Sequence, residues 1–303
     1  MQRRNFIKNT VLATGVLSVP FITHAAVKDV VNKESDTSVE FKKSIMWGTV
    51  GLSGSVLDKC KAIKAAGYHG IEPNSHMDRK EVLDAMKATG LVASSVCCST
   101  HWEKLLSHPD ASVRQEGVEG AIVALEDAHA YGTDAILLVP GRVDANVSYD
   151  DCWNRSVEGI KKILPVAKKL KVKICIENVW NNFLLSPIEA CNYVDQFKSP
   201  YVGFYFDCGN ILVYGWPEQW IKILGDRIGR IHIKEFSREL ADKNGRWSGF
   251  GVKLTEGNVD WTKVMLEARK SYKNVWLTTE QGSSKTPEEL KDLNNRLDKI
   301  LRM

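Results

Sequence analysis

The chain has 303 residues, with 44% hydrophobic and 26% charged side chains, ordinary proportions for a folded protein with room for one large domain or two small ones. Its formal net charge of +4 carries no basic block, so no nucleic-acid partner is implied. Seven cysteines, odd in number and without a Cys-x-x-Cys pair, argue against a disulfide framework.

Residues 1–25 read as an export signal. Arg3 and Arg4, followed by Asn5, Phe6, Ile7 and Lys8, precede an apolar stretch over 11–22, and Thr23-His24-Ala25 supplies a small-x-small cleavage site. That stretch is too short to span a bilayer as a helix. The arginine pair with x-Phe-Ile-Lys after it resembles a twin-arginine signal, so the expected destination is the periplasm, with no membrane anchor left after processing. Residues 26–43 form a polar leader, and 44–303 form the folded domain.

From residue 44 onward short apolar runs alternate with amphipathic stretches, the signature of repeated strand–helix units. Strands are predicted at 44–49, 70–73, 92–97, 135–139, 172–177, 202–207, 228–233 and 275–280. Helices are predicted at 56–66, 79–89, 109–131, 149–170, 187–196, 217–224, 261–271 and 287–301. Gly67 and Gly90 supply helix stops, while Asp260 and Thr286 are suitable N-caps. Eight such units in a single domain match a (β/α)8 TIM barrel, and an open doubly wound sheet is the competing α/β arrangement. No Gly-x-Gly-x-x-Gly follows the first strand, so no nucleotide cofactor is expected.

Four residues close apolar runs: Glu177 after Lys-Ile-Cys-Ile, Asp207 after Phe-Tyr-Phe, His232 between two isoleucines, and Glu280 after Leu-Thr-Thr. A carboxylate ending so apolar a run is costly unless it is paired or holds a cation. In a parallel barrel all C-terminal strand ends meet on one face, where active sites lie. These oxygen and imidazole ligands suit one divalent metal ion, Mn2+, Co2+ or Mg2+, better than a thiolate zinc site.

The phrases Ile-Glu-Asn, Phe-Asp-Cys-Gly-Asn, Ile-His-Ile-Lys-Glu and Thr-Glu-Gln-Gly, with Glu256-Gly257-Asn258-Val259-Asp260-Trp261 before the last, resemble the xylose-isomerase-like sugar isomerase/epimerase superfamily. The likeness covers about residues 45–301. It implies a (β/α)8 barrel with Glu177, Asp207, His232 and Glu280 as the metal ligands. Glu256 and Asp260 match that superfamily's loop before the penultimate helix. Many ketose epimerases of the group carry His where this chain has Asn210. The Asp-x-Gly-Asn form is more similar to the pentulose-phosphate 3-epimerase branch, although no phosphate cradle is evident here.

Such a site supports proton abstraction beside a ketone, giving an enediolate whose charge a cation stabilises. Glu177 and Glu280 form the expected proton-transfer pair of an isomerase or epimerase acting on a keto-sugar. A metal-dependent lyase or hydratase working on an oxidised sugar such as a 3-keto-glycoside is the alternative. A non-catalytic periplasmic sugar-binding barrel is the alternative of another class, and a DNA-repair endonuclease would need more strand-end histidines. Asn210, His101, Glu72, Lys234, Glu256, Trp47 and Trp180 are expected to contact the sugar. Trp102, Trp216 and Trp247 also follow predicted strand ends, where their rings could stack on a sugar, form a lid or make a homodimer contact.

Overall fold

A computed structural model describes residues 40–303. The expected signal peptide and leader residues 26–39 lie outside the described residues. Nine parallel strands form one sheet: β1 (Lys42–Met46), β2 (Gly70–Glu72), β3 (Val92–Ala93), β4 (Val96–Cys97), β5 (Ala135–Leu138), β6 (Lys173–Glu177), β7 (Val202–Asp207), β8 (Ile228–Ile233) and β9 (Trp276–Thr279). Their order is β3-β2-β1-β9-β8-β7-β6-β5-β4, so the sheet curls until its two edges are halves of one predicted strand. Ser94 and Ser95 interrupt that strand. Across the break, Cys97 donates its N–H to Pro73 O at 2.9 Å and accepts the Ser75 N–H at 2.8 Å. These bonds close the barrel, and the (β/α)8 reading holds with its third strand split.

The sheet begins earlier than expected, because Lys42 and Lys43 belong to β1 and Phe41 before them is buried against Tyr272. Lys43 reaches Asp298 at 2.7 Å, which stabilises its charge at the edge of the core. The first strand also ends earlier, turning into a single 3-10 turn at Trp47–Thr49.

Helices cover the barrel between the strands: α1 (Val56–Ala66), α2 (Arg79–Thr89), α3 (Ala111–Ala130), α4 (Tyr149–Leu170), α5 (Pro187–Asp195), α6 (Cys208–Ile211), α7 (Pro217–Leu224), α8 (Arg238–Asn244), α9 (Trp261–Ser271) and α10 (Pro287–Leu301). Asp260 and Thr286 cap α9 and α10 by accepting the N–H groups of Lys263 and Glu289. Gly67 adopts φ 107° at the end of α1, a left-handed geometry that a side chain would strain. Among the described residues no helix is long and apolar enough to cross a membrane.

Alternation along the strands divides the core. Ile136 and Leu138 join the large apolar layer beneath the helices, whereas Ala135, Leu137 and Val139 face into the barrel with Cys97, Cys175 and Val179. The seven cysteines are all unpaired, and six are buried as small core residues.

Between β8 and α9 the chain makes a long excursion whose internal elements the sequence pattern does not predict. It holds α8 and a 3-10 stretch, Arg246–Gly251. Buried Glu235 ties its return to the barrel. Its carboxylate accepts the N–H groups of Phe236, Val259 and Thr255, and the Trp261 Nε1–H at 2.7 Å. Replacing it strands those donors, and an unsatisfied buried group costs about 1–3 kcal/mol. Glu235→Ala is therefore expected to lower unfolding free energy by roughly 3 kcal/mol or more in urea denaturation and to expose the 246–261 segment to protease. An unchanged urea midpoint would refute the clamp.

Candidate active site

Strand register sets the height of each functional side chain. Asp207, the last residue of β7, lies opposite His232 of β8, which in turn lies opposite Thr278 of β9. Glu177 ends β6 opposite Tyr205, and Glu280 stands just beyond β9. All four project into the C-terminal mouth. One ligand atom from each of Glu177, Asp207, His232 and Glu280 falls within 4.8 Å of the other three. A cation bonding at about 2.1 Å separates opposite ligands by about 4.2 Å, so the shell is close to the required size.

The contacts within the cluster are specific. His232 Nδ1 lies 3.2 Å from Glu177 Oε1 and 2.9 Å from Glu280 Oε2. Lys234 Nζ donates to Glu280 Oε1 at 2.9 Å and lies 3.7 Å from Asp207 Oδ2. Asp207 Oδ1 accepts the Asn210 N–H, which opens α6. Asn178 holds the same aspartate by both backbone groups, accepting its N–H and donating to its carbonyl, each at 2.9 Å. Asn210 donates its amide to Asn178 O, so it joins the ends of β6 and β7.

Charge in this cluster does not balance. Glu72, Glu177, Asp207 and Glu280 face one lysine and one imidazole, all within the same network. With all four carboxyls ionised and the imidazole protonated, two negative charges would be left over. Burial pushes the carboxyls of Glu177 and Asp207 above their usual range, and the neighbouring carboxylates reinforce the effect. Burial acts on Glu280 as well, but Lys234 and His232 outweigh it and hold that carboxyl below its usual range. Burial opposes charge on His232, yet Glu72 and Glu280 raise its pKa well above the ordinary value. Asp207 Oδ2 is buried without a hydrogen-bond partner, and Glu280 Oε2 has only the His232 ring nitrogen beside it. A partnerless buried carboxyl oxygen, an excess of acidic over basic groups and a hard donor set fit a divalent cation.

Above the cluster lies a cleft of about 510 Å³. Glu177, Glu280, Lys234, Asn210, His101 and Trp180 line it, so these expected site residues are brought together. Trp180 is anchored by donating its Nε1–H to Asn210 O at 2.9 Å. Burial pushes the His101 imidazole down to about 4, so it is neutral near pH 7. Its Nδ1 accepts the Val139 N–H at 3.3 Å, which leaves the ring proton on Nε2.

Three expected sugar contacts sit elsewhere. Glu72 is fully buried below the mouth, where Oε1 lies 3.0 Å from His232 Nε2 and Oε2 accepts from Ser95 and Tyr205. Glu256 pairs with Arg296 at 2.7 Å on the outer side of the β8–α9 excursion. Trp47 turns away into the 3-10 turn, packing on the outer core beneath Lys59. Sequence reasoning also missed Arg142, Met46 and Leu137, which line the cleft. Only the placement of Met46 and Leu137 on inward strand positions could have signalled them.

Comparison with known proteins agrees with this geometry. Residues 60–300 match the family described as "Xylose isomerase-like TIM barrel". L-ribulose-5-phosphate 3-epimerase UlaE of Escherichia coli O1:K1 / APEC is 26% identical over 200 residues, covering 65% of this chain and 67% of that protein. Among solved structures, the 3-keto-D-glucoside 4-epimerase YcjR from E. coli superposes with a TM-score of 0.73 at 16% identity, covering 87% of this chain and 100% of the other. D-psicose 3-epimerase from Clostridium cellulolyticum H10, solved with D-tagatose, gives a TM-score of 0.68 at 17% identity, over 86% and 98% of the two chains. These relatives are sugar epimerases on one fold. The family match spans nearly the whole barrel and settles the assignment: this chain belongs to the xylose isomerase-like TIM barrels.

Proposed function

We propose that this protein is an exported, divalent-metal-dependent epimerase of an unphosphorylated keto-sugar, with Glu177 and Glu280 as its proton-transfer pair. Export rests on the sequence of residues 1–25 alone. One observation carries the catalytic reading: two glutamates from strands β6 and β9 converge on the floor of one cleft, with Asp207 and His232 between them. A bound cation held by Glu177, Asp207, His232 and Glu280 would supply Lewis-acid stabilisation to the negative charge that forms when a proton leaves the carbon beside a carbonyl. One glutamate takes that proton and the other returns one to the opposite face, inverting the centre. Apolar Met46, Leu137 and Val179 line the cleft walls and exclude water. His101 presents its Nε2–H to a sugar hydroxyl. Arg142 and Lys234, the basic side chains lining the cleft, are paired with Asp144 and Glu280, which disfavours a phosphate on the substrate.

Glu72 positions His232. It engages Nε2, so an imidazole holding a cation would keep its proton there and turn the Nδ1 lone pair toward Glu177, Asp207 and Glu280. The hydroxyls of Ser95 and Tyr205 hold the glutamate in turn.

Three outcomes test this reading. Mn2+- or Co2+-loaded protein incubated with ketohexoses in D2O is expected to place deuterium at a single carbon of the recovered sugar. Glu177→Gln and Glu280→Gln should each lower kcat by about 10²- to 10⁴-fold; full activity in both variants removes them as the proton-transfer pair. Glu72→Gln should weaken Co2+ affinity by about 10- to 100-fold in a direct titration, whereas unaltered affinity means that the glutamate does not position the ligand.

A further outcome concerns pH. The folded-state pKa of His101 lies near 4, below the value of about 6.5 for a free imidazole. The unfolded chain therefore binds a proton first as pH falls, and stability is lost from about pH 6.5 down to about pH 4. Between pH 7.5 and 5 this residue accounts for about 2 kcal/mol of that loss. His101→Gln should show a pH dependence of urea stability shallower by that amount. Parallel profiles for the two proteins would contradict the burial argument.

A further inference from the structure

The cleft has two ends of different chemistry. Its floor is charged and buried around Glu177, Glu280 and Lys234. Its outer rim carries Trp102 and Trp247, which are 46% and 71% exposed although both line the cleft. Trp247 packs on the anchored Trp180 ring with centroids 4.6 Å apart, and Trp102 stands edge-on to His101 at 5.5 Å. Both exposed rings are thus set against fixed neighbours. The buried, charged floor and the exposed aromatic rim offer two different surfaces to a ligand, and indole faces in water gain by stacking on a further ring. The volume of about 510 Å³ falls within the range that encloses ligands of drug size.

Resting on the epimerase reading above, we infer that the substrate has two rings: a keto-sugar held at the carboxylate floor and still joined by a glycosidic bond to a second ring, which Trp102 and Trp247 bind. We take the keto-sugar to be the unit that contributes its anomeric carbon to that bond: this carbon is then locked as an acetal, and the ketone is an oxidised ring carbon. C3 is the ring position with a hydroxyl on both neighbouring carbons, so a C3 ketone presents an α-hydroxyketone to the floor from either side. Epimerisation removes a proton from the adjacent carbon and returns one to its other face, with no change of oxidation state and the glycosidic bond intact. The reaction that supplies the substrate must therefore be a dehydrogenation of a secondary ring alcohol.

The test compares phenyl and methyl 3-keto-β-D-glucopyranoside with the metal-loaded full chain, using calorimetric Kd for this inference and deuterium exchange in D2O for the epimerase reading. The phenyl glycoside should bind about three- to tenfold more tightly than the methyl glycoside. In Trp247→Ala and Trp102→Ala that ratio should collapse toward one, and Trp247→Phe should restore most of it. Both indoles are substantially exposed, so their loss opens no core cavity. Equal Kd values for the two glycosides, or a ratio that both alanine variants preserve, would overturn the inference even if exchange proceeds. Sedimentation showing that Trp247→Ala splits a dimer while the ratio is kept would assign the rim to a second copy of the chain instead. A ratio that behaves as expected without deuterium exchange would retain the two-ring site and discard the epimerase reading.

Discussion

Uncompensated negative charge at the barrel mouth is the constraint on which the site depends. Desolvating an ion costs several kcal/mol even after relaxation, and the cluster desolvates several carboxylates together. Lys234 and His232 answer part of that charge at Glu280, and Asp207 is left with a buried oxygen that has no hydrogen-bond partner. Like charges held this close resist unless something of opposite sign sits between them. The hydrogen bonds from Asn178 and Asn210 to the Asp207 region fix the arrangement in advance, so a cation would meet a shell already formed.

The interior of the barrel is built unevenly to support that mouth. Below Glu177, strands β4 to β6 contribute mostly apolar inward residues, whereas Ser44, Glu72, Asp207, Arg230, His232 and Thr278 form a polar column on the other side. Buried Arg230 donates to Ser94 O, Ser95 and Tyr205 converge on Glu72, and Glu72 meets His232. The interruption at Ser94-Ser95 belongs to this column. Ser94 uses its carbonyl for Arg230 and Thr133, and Ser95 turns its hydroxyl inward to Glu72. The split therefore has a local cause: Ser94 still donates its N–H to Ile71 O of β2, but its carbonyl and the Ser95 hydroxyl answer side chains where a continuous strand would answer its next neighbour.

Much of this was legible in the chain. Strands β7 and β8 and helices α1, α2, α4, α7, α9 and α10 fall where alternation, caps and stop glycines place them. The clustering of Glu177, Asp207, His232 and Glu280 was legible for the same reason, since an ionisable residue at the end of a buried run is locally anomalous. Glu72 was not, because it too ends a strand, and nothing local distinguishes a side chain that faces the mouth from one that lies beneath His232. Glu256 and Trp47 were misplaced because the turn geometry around them is set by distant partners, Arg296 for one and the outer core for the other. The clamp at Glu235 escaped notice because its partners lie 20 to 26 residues further along.

Register explains why the two glutamates can act from different sides. Glu177 shares its level with Tyr205, one inward position below Asp207. Asp207 and His232 share the next level with Thr278, and Glu280 lies one inward position above Thr278. The ligands therefore climb one inward step from β6 to β7, stay level across to β8, and climb again to β9. A closed barrel imposes such a stagger, because its strands must tilt for the sheet to meet itself. The climb brings Glu177 from below and Glu280 from above the Asp207–His232 pair, on strands separated by the two that carry that pair. A flat sheet with the same sequence would set the four side chains in a row. The inversion chemistry proposed for this site would thus depend on closure of the sheet as much as on the identity of the residues.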